Sequence, residues 1–65
     1  MKRWVNRNNR EEEVPEIDDF LEAIVDVCEM HQLTLSHENF GGAFQVEEMK
    51  PSNITWLRNA EDNRR

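Results

Sequence analysis

Residues 15–31 read PEIDDFLEAIVDVCEMH, and this stretch decides the fold. Side chains suited to burial recur every three or four positions, which is the spacing of one helix face. They are Ile17, Phe20, Leu21, Ile24, Val27, Cys28 and His31. Pro15 suits the first helical turn, where its missing N–H needs no partner. The pattern predicts an amphipathic helix that closes at His31 and Gln32 and turns its acidic residues toward water.

Two short segments after this helix alternate with a period of two, as strands do. They are LTLS at 33–36 and FQVE at 44–47, and Asn39, Gly41 and Gly42 lie between them. Because Asn and Gly tolerate turn geometry, we expect a β-hairpin with a loop longer than the tightest type.

A short second helix is predicted after the hairpin. Pro51 ends the second strand, and Ser52 is a candidate N-cap. The helix contains Ile54, Trp56, Leu57 and Ala60. The fold class is therefore α+β, a small single domain with the order helix–β-hairpin–helix, in which residues 1–13 form a flexible basic and acidic arm, 14–61 an αββα domain, and 62–65 a frayed tail.

Self-association is expected from size alone. A chain of 65 residues buries too little surface for a strong core, and an isolated hairpin is marginal in water. Either hairpins pair across a symmetric interface or helices pack between subunits. We therefore expect a homo-oligomer.

Charge is segregated along the chain, whose formal net charge is -6. Residues 1–10 carry four basic side chains and no acid, residues 11–31 carry nine acids and no Lys or Arg, and residues 50–65 carry four basic and two acidic side chains. The acidic middle makes direct binding of duplex DNA unfavourable, although a basic end can hold a phosphate locally. Alternatively, the ends form a polar arm and the acids a solvated helix face.

The sequence also limits the cellular setting. No apolar run approaches the roughly 20 residues that span a bilayer, and no signal peptide is visible. The single cysteine, Cys28, excludes an internal disulfide framework. These features favour a reducing cytoplasm and no membrane partner.

The densest polar cluster is SHENFGG at 36–42, on the predicted hairpin tip. The glycines let backbone N–H groups approach a ligand, Glu38 can accept from a base edge, and Phe40 can stack on a base. Trp56 offers a second stacking face, and His37 or Arg58 a phosphate contact. The predicted ligand-binding residues are thus His37, Glu38, Asn39, Phe40, Gly41, Gly42, Trp56 and Arg58. The alternative is a turn that only reverses the chain.

Catalysis and metal binding are both disfavoured. His37 and Glu38 offer a base and a carboxylate, but neighbouring residues of a strand point to opposite faces. Ser36 is adjacent to His37 in sequence, which is not the geometry of a catalytic triad. Cys28 and His31 share a helix face, with His37 or Glu38 as a further candidate ligand, but Cys28 lies in the apolar stripe and no second ligand pair follows. We predict a non-enzyme without metal or cofactor.

Residues 33–47, LTLSHENFGGAFQVE, followed by NITWL at 53–57, resemble a group of small tailed-bacteriophage proteins. These carry a Leu-Ser-His-Glu turn, a Gly-Ala-Phe strand and an Asn-x-x-Trp-Leu helix. The match covers roughly residues 17–60, and it departs at Gly41, where many relatives are expected to have His. The resemblance implies a phage accessory protein in the host bacterial cytoplasm that inhibits host defence by binding.

Three functions remain open on the sequence. One is a non-catalytic protein that sequesters a small nucleotide-like ligand at an oligomer interface, with the hairpin tip as the recognition surface. The alternative is an acidic protein–protein inhibitor that docks on a basic nucleic-acid-binding surface of a host defence protein through the helix face from Glu16 to Glu29. The third is a minor component of the virion.

Overall fold

A computed structural model describes residues 1–38, 40 and 42–65 of the chain. Its elements, in order, are β1 (Lys2–Val5), β2 (Arg10–Glu13), α1 (Pro15–His31), β3 (Leu33–His37), β4 (Phe44–Glu48) and α2 (Pro51–Arg58). The strands form two separate antiparallel sheets, β1–β2 and β3–β4. The α+β class is confirmed, but a further hairpin precedes the predicted elements. None of the helices within these residues is long and apolar enough to cross a membrane.

Helix α1 begins at Pro15 and ends at His31, as the sequence predicts. Its last turn closes at Gln32, whose φ of 55° is left-handed and whose backbone N–H reaches the carbonyls of Cys28 and Glu29. The buried face consists of Leu21, Val25 and Cys28. It is rotated from the predicted face, because Phe20 and Val27 remain 63% and 55% exposed.

The core lies where α1, α2 and β3 meet. Val25 and Cys28 of α1 pack with Ile54 of α2. Partly buried apolar side chains complete this cluster, namely Ile24, Met49 and Leu57. Because α2 and β3 reach only one flank of the α1 apolar stripe, its other flank stays in solvent.

The second hairpin pairs β3 with β4, and Leu35 lies opposite Val46. Thr34 is 1% exposed and joins the hairpin to α2. Its hydroxyl donates to the carbonyl of Glu48 over 2.7 Å and accepts from the side-chain amide of Asn53 over 2.9 Å. The first bond lies within the hairpin, because Glu48 belongs to β4, and the second joins the hairpin to α2.

Helix α2 starts two residues earlier than the predicted cap allows. Lys50 is the N-cap and Pro51 the first helical residue, so the assignment of Ser52 as N-cap is wrong. The reason is that proline is pre-organised for the first helical position.

The first hairpin corrects the description of residues 1–13 as an arm. Lys2–Val5 pairs with Arg10–Glu13, and the turn between them ends at Asn9 with a left-handed φ of 52°. Val5 is fully buried and Arg3 nearly so, whereas the residues of β2 are mostly exposed. A strand of charged residues carries little apolar signal, so periodicity does not reveal it.

The C-terminal residues are also ordered by this hairpin, which corrects their description as a frayed tail. Asp62 forms a parallel bridge with Val5. Its N–H donates to the carbonyl of Trp4 over 2.8 Å, and its carbonyl accepts from Asn6 over 3.0 Å. The side chain of Asp62 is fully buried and accepts hydrogen bonds from Arg64 and Arg7.

Arg3 makes the second connection between the ends of the chain. Its guanidinium is buried and donates to the carbonyls of Arg58 and Ala60 over 3.1 and 2.8 Å, and to the carboxylate of Asp18. Nε of Arg3 has no hydrogen-bond partner among the described residues. A cation at the carbonyl end of α2 is favourable, because those carbonyls carry partial negative charge.

We predict that Thr34→Val lowers the free energy of unfolding by about 1–3 kcal/mol, since the Glu48 carbonyl loses the hydroxyl and the Asn53 amide loses one of its two acceptors. Urea denaturation of the variant and the native chain measures the loss. Thr34→Ser is the matched control, because it keeps the hydroxyl, and it should cost less. Equal stability of Thr34→Val and the native chain would contradict the role given to these bonds.

Acid should destabilise the fold partly through Asp62. Hydrogen bonds from Arg64 and then Arg7 hold the pKa of the Asp62 carboxyl well below its ordinary value of 3.8. Its contribution is therefore complete above the unfolded pKa and is lost as the pH falls below about 4. Urea midpoints between pH 6 and pH 2.5 should fall less steeply for Asp62→Asn than for the native chain.

Asp19→Asn serves as the control for this loss of stability in acid, because Asp19 is exposed and forms no ion pair with the described residues. It should reproduce the native pH dependence. If the urea midpoint of Asp62→Asn falls as steeply with decreasing pH as that of the native chain, other carboxylates are responsible for the loss of stability.

Candidate functional site

The imidazole of His37 stacks on the indole of Trp56 beside the end of the second hairpin. The ring centroids are 4.8 Å apart and the ring planes are inclined by 33°. His37 is the last residue of β3, and Trp56 lies in the middle of α2. The structure thus brings together two predicted site residues that are far apart in the sequence.

Phe44 belongs to the same surface. It is the cross-strand partner of His37, and such partners project from the same face of a sheet with their Cβ atoms about 5 Å apart. Phe44 is 75% exposed, and Trp56 is 41% exposed. We call His37, Phe44 and Trp56 the aromatic platform.

The sequence interpretation missed Phe44 because it assigned that residue only to a strand. The predicted segments, 33–36 and 44–47, would pair Phe44 with Ser36. The observed strands are each one residue longer, and their register places Phe44 opposite His37.

The hairpin tip beyond the platform is open to solvent. Phe40 is fully exposed and Glu38 is exposed. Glu38 donates its N–H to the carbonyl of Ala43 over 3.2 Å, and its carbonyl lies 3.2 Å from Nδ1 of His37. Gly42 has a φ of 68° in open space, so a left-handed turn requires glycine there. The predicted residues Asn39 and Gly41 lie outside the described part of the chain.

Arg58 is engaged elsewhere. Its Nε and Nη2 donate to the two carboxylate oxygens of Glu22 over 2.7 and 3.2 Å. This pairing lowers the pKa of Glu22 and raises that of Arg58. A phosphate contact by Arg58 stays a prediction, and it requires the guanidinium to exchange Glu22 for the ligand.

A cavity of about 310 Å³ lies on the C-terminal side of Trp56. It is lined by Trp56, Leu57, Asn59, Ala60 and Glu61. The indole therefore has a recess beside it, in addition to its contact with His37.

Asn53 and Ser36 serve the inner side of the hairpin. Besides its bond to Thr34, the Asn53 amide donates to Glu47 over 3.1 Å. Lys50 first, then Asn53 and Ser36, lower the pKa of Glu47 through their hydrogen bonds. Asn53 is thus neither a helix cap nor placed on the platform.

Ser36 and His37 have different neighbours, which bears on catalysis. Ser36 is a hydrogen-bond partner of Glu47, whereas His37 packs on Trp56. This is the alternation expected of adjacent strand residues. The platform therefore offers stacking faces and one imidazole.

The metal-binding interpretation depended on Cys28 and His31. Cys28 is 6% exposed within the apolar core, while His31 is exposed at the end of α1. Within residues 1–38, 40 and 42–65, no three His, Cys, Asp or Glu side chains are grouped to hold a metal ion.

The candidate site is therefore the aromatic platform, with Phe40 and Glu38 at its outer end and the recess beside Trp56. Its chemistry is that of flat aromatic faces next to a carboxylate. Comparison of the chain with protein-family models, with curated proteins and with solved structures found no match.

Proposed function

We propose that this protein is a non-catalytic binder that sequesters a small nucleotide-like ligand. The observation that supports it most is the stacked pair His37–Trp56, with exposed Phe44 across the strand from His37. Nucleobases stack on aromatic side chains, and each such contact is worth about 1–3 kcal/mol. A solvent-exposed aromatic surface next to a recess suits that chemistry.

The carboxylate at the edge of the platform adds selectivity. Glu38 follows His37 directly and is exposed, so it is free to accept hydrogen bonds from the edge of a stacked base. Phe40 at the tip is available to cover the other face of the base. We assign base stacking to Phe44, Trp56 and Phe40, and recognition of the base edge to Glu38.

The proposal includes self-association. Large apolar side chains are more exposed than an isolated small domain tolerates, and Phe20, Val27 and Val46 are each more than half exposed. A groove of about 220 Å³ with a wholly apolar lining runs between α1 and the second hairpin. Because the platform is open on its outer side, a second copy seated on this face would enclose more of a ligand than one chain does.

The biological setting follows from the resemblance in sequence. We place the protein in the host bacterial cytoplasm as a phage accessory protein that counters a defence signal by holding its nucleotide. Sequestration needs only affinity and abundance. It is therefore consistent with a site that has stacking faces and no activated nucleophile.

The acidic-inhibitor alternative loses part of its surface in the structure. Asp18 pairs with Arg3, and Glu22 pairs with Arg58. Glu16 likewise pairs with Arg64. Three of the carboxylates proposed to face a basic partner are thus already neutralised within the chain. Asp26 and Glu29 remain on the exposed side of α1.

Calorimetry with a panel of cyclic dinucleotides and trinucleotides should detect saturable binding to the native chain. Phe44→Ala should weaken that binding roughly tenfold or more, because one stacking contact is lost. Met30→Ala is the matched control, since Met30 is 76% exposed on α1 and lies off the platform. It should bind as the native chain does.

Two results would refute the proposal. One is the absence of heat with every nucleotide while circular dichroism shows folded protein. The other is a Phe44→Ala variant that binds as tightly as the native chain. Size-exclusion chromatography of each variant separates loss of stacking from loss of self-association.

A further inference from the structure

The two basic ends of the sequence meet at one place in the fold. Asn6 and Arg7 lie in the turn of the first hairpin, and residues 63–65 follow the bridge between Asp62 and Val5. Together they line a cavity of about 550 Å³ whose walls are Asn6, Arg7, Asn63, Arg64 and Arg65. Three of the eight basic residues of an acidic chain thus line one cavity.

Asp62 fixes two of these guanidiniums in position. Its buried carboxylate accepts from Arg7 Nη1 over 2.9 Å, and from Arg64 Nε and Nη2 over 3.0 and 2.9 Å. The backbone N–H of Arg64 donates to the same carboxylate over 3.1 Å. Because Asp62 is itself held by Trp4 and Asn6, the two arginines are pre-organised on the framework of the first hairpin.

Donor capacity remains after these bonds are made. Arg7 reaches Asp62 with Nη1 alone, and Arg64 uses Nε and Nη2 toward Asp62 and Nη2 toward Glu16. The second Nη of each group is available to another acceptor. Arg65 forms no ion pair with the described residues, and the amides of Asn6 and Asn63 add neutral donors at the wall.

The cavity gathers three arginine side chains, Arg7, Arg64 and Arg65. Asp62 and Glu16 are the carboxylates that pair with Arg7 and Arg64, and Glu61 accepts from the Asn6 amide at the wall over 3.4 Å. Arginine forks match the oxygens of phosphate groups, and each such bond is charge-assisted. The volume lies within the range typical of small-molecule sites.

We propose that this cavity, the terminal arginine cavity, binds the phosphate groups of a small molecule such as a nucleoside diphosphate. The site involves none of the platform residues. It goes beyond the proposed function and does not depend on it, because a phosphate group alone is enough to occupy it.

Inorganic pyrophosphate is the first probe, because it has no base to stack. Titration at low salt should give saturable shifts in ¹H–¹⁵N spectra. They are expected in the backbone signals of Arg7, Asn63 and Arg64, and in the Nε–H signals of the two arginines. Signals of Trp56 and Phe44 should not move. Shifts that stay linear with concentration, or that spread evenly over the chain, would overturn the proposal.

Variants separate a defined site from general attraction to positive charge. Arg65→Gln should weaken pyrophosphate binding roughly fivefold or more, because it removes one charge-assisted donor of about 1 kcal/mol or more. Arg10→Gln is the matched control, because it makes the same charge change outside the cavity lining, and its affinity should remain native. Equal weakening in both variants would refute a local site.

Arg7→Gln is a second test variant. Because Arg7 also donates a hydrogen bond to Asp62, this variant needs a check of its fold. Its fold is first confirmed by the dispersion of the spectrum, and Arg65→Gln decides the question if Arg7→Gln unfolds.

Adenosine diphosphate and a short single-stranded oligothymidylate then distinguish the source of the phosphate. Saturation by the diphosphate at lower concentration supports the proposal, and tighter saturation by the oligonucleotide overturns its small-molecule form.

Discussion

Two buried charged side chains hold the ends of this chain to its centre. Arg3 and Asp62 are 4% and 1% exposed, and burial of an unpaired charge would cost several kcal/mol. Arg3 is compensated by Asp18 and the carbonyl end of α2, and Asp62 by the distant Arg7 and the neighbouring Arg64. The apolar cluster around Val25 is too small to position both hairpins, so these polar contacts determine where the first hairpin lies.

The elements held by apolar contacts could be predicted from the sequence, whereas those held by polar contacts could not. The elements that bury an apolar face show a period in the sequence, and α1, β3 and β4 appear where that period places them. The first hairpin buries Arg3 and Val5 and is otherwise charged, so its strands leave no such pattern. Asp62 was assigned to a frayed tail for the same reason, because only its partners distinguish it from a solvated carboxylate.

The candidate site, too, could be predicted only in part. Its aromatic residue types were visible in the sequence, and the stack of His37 on Trp56 brings two of them together. What the sequence could not provide was the partner of each side chain. Arg58 looked free for a phosphate and is paired with Glu22, while the Asn53 side chain connects α2 to Thr34 and Glu47. Pairings of this kind depend on contacts across elements, which local spacing does not encode.

The distribution of apolar surface connects the small core to the proposed function. One flank of α1 is covered by α2 and β3, and the other flank leaves Phe20 and Val27 in water beside the apolar groove. Asp19, Asp26 and Glu29 are acids of α1 that remain exposed without an ion pair to a described residue, and of these Asp26 and Glu29 lie away from this flank. An assembly through this face would supply the buried area that one chain lacks, and it would also border the open side of the hairpin that carries the platform. Stability and ligand enclosure would then be provided by the same contact.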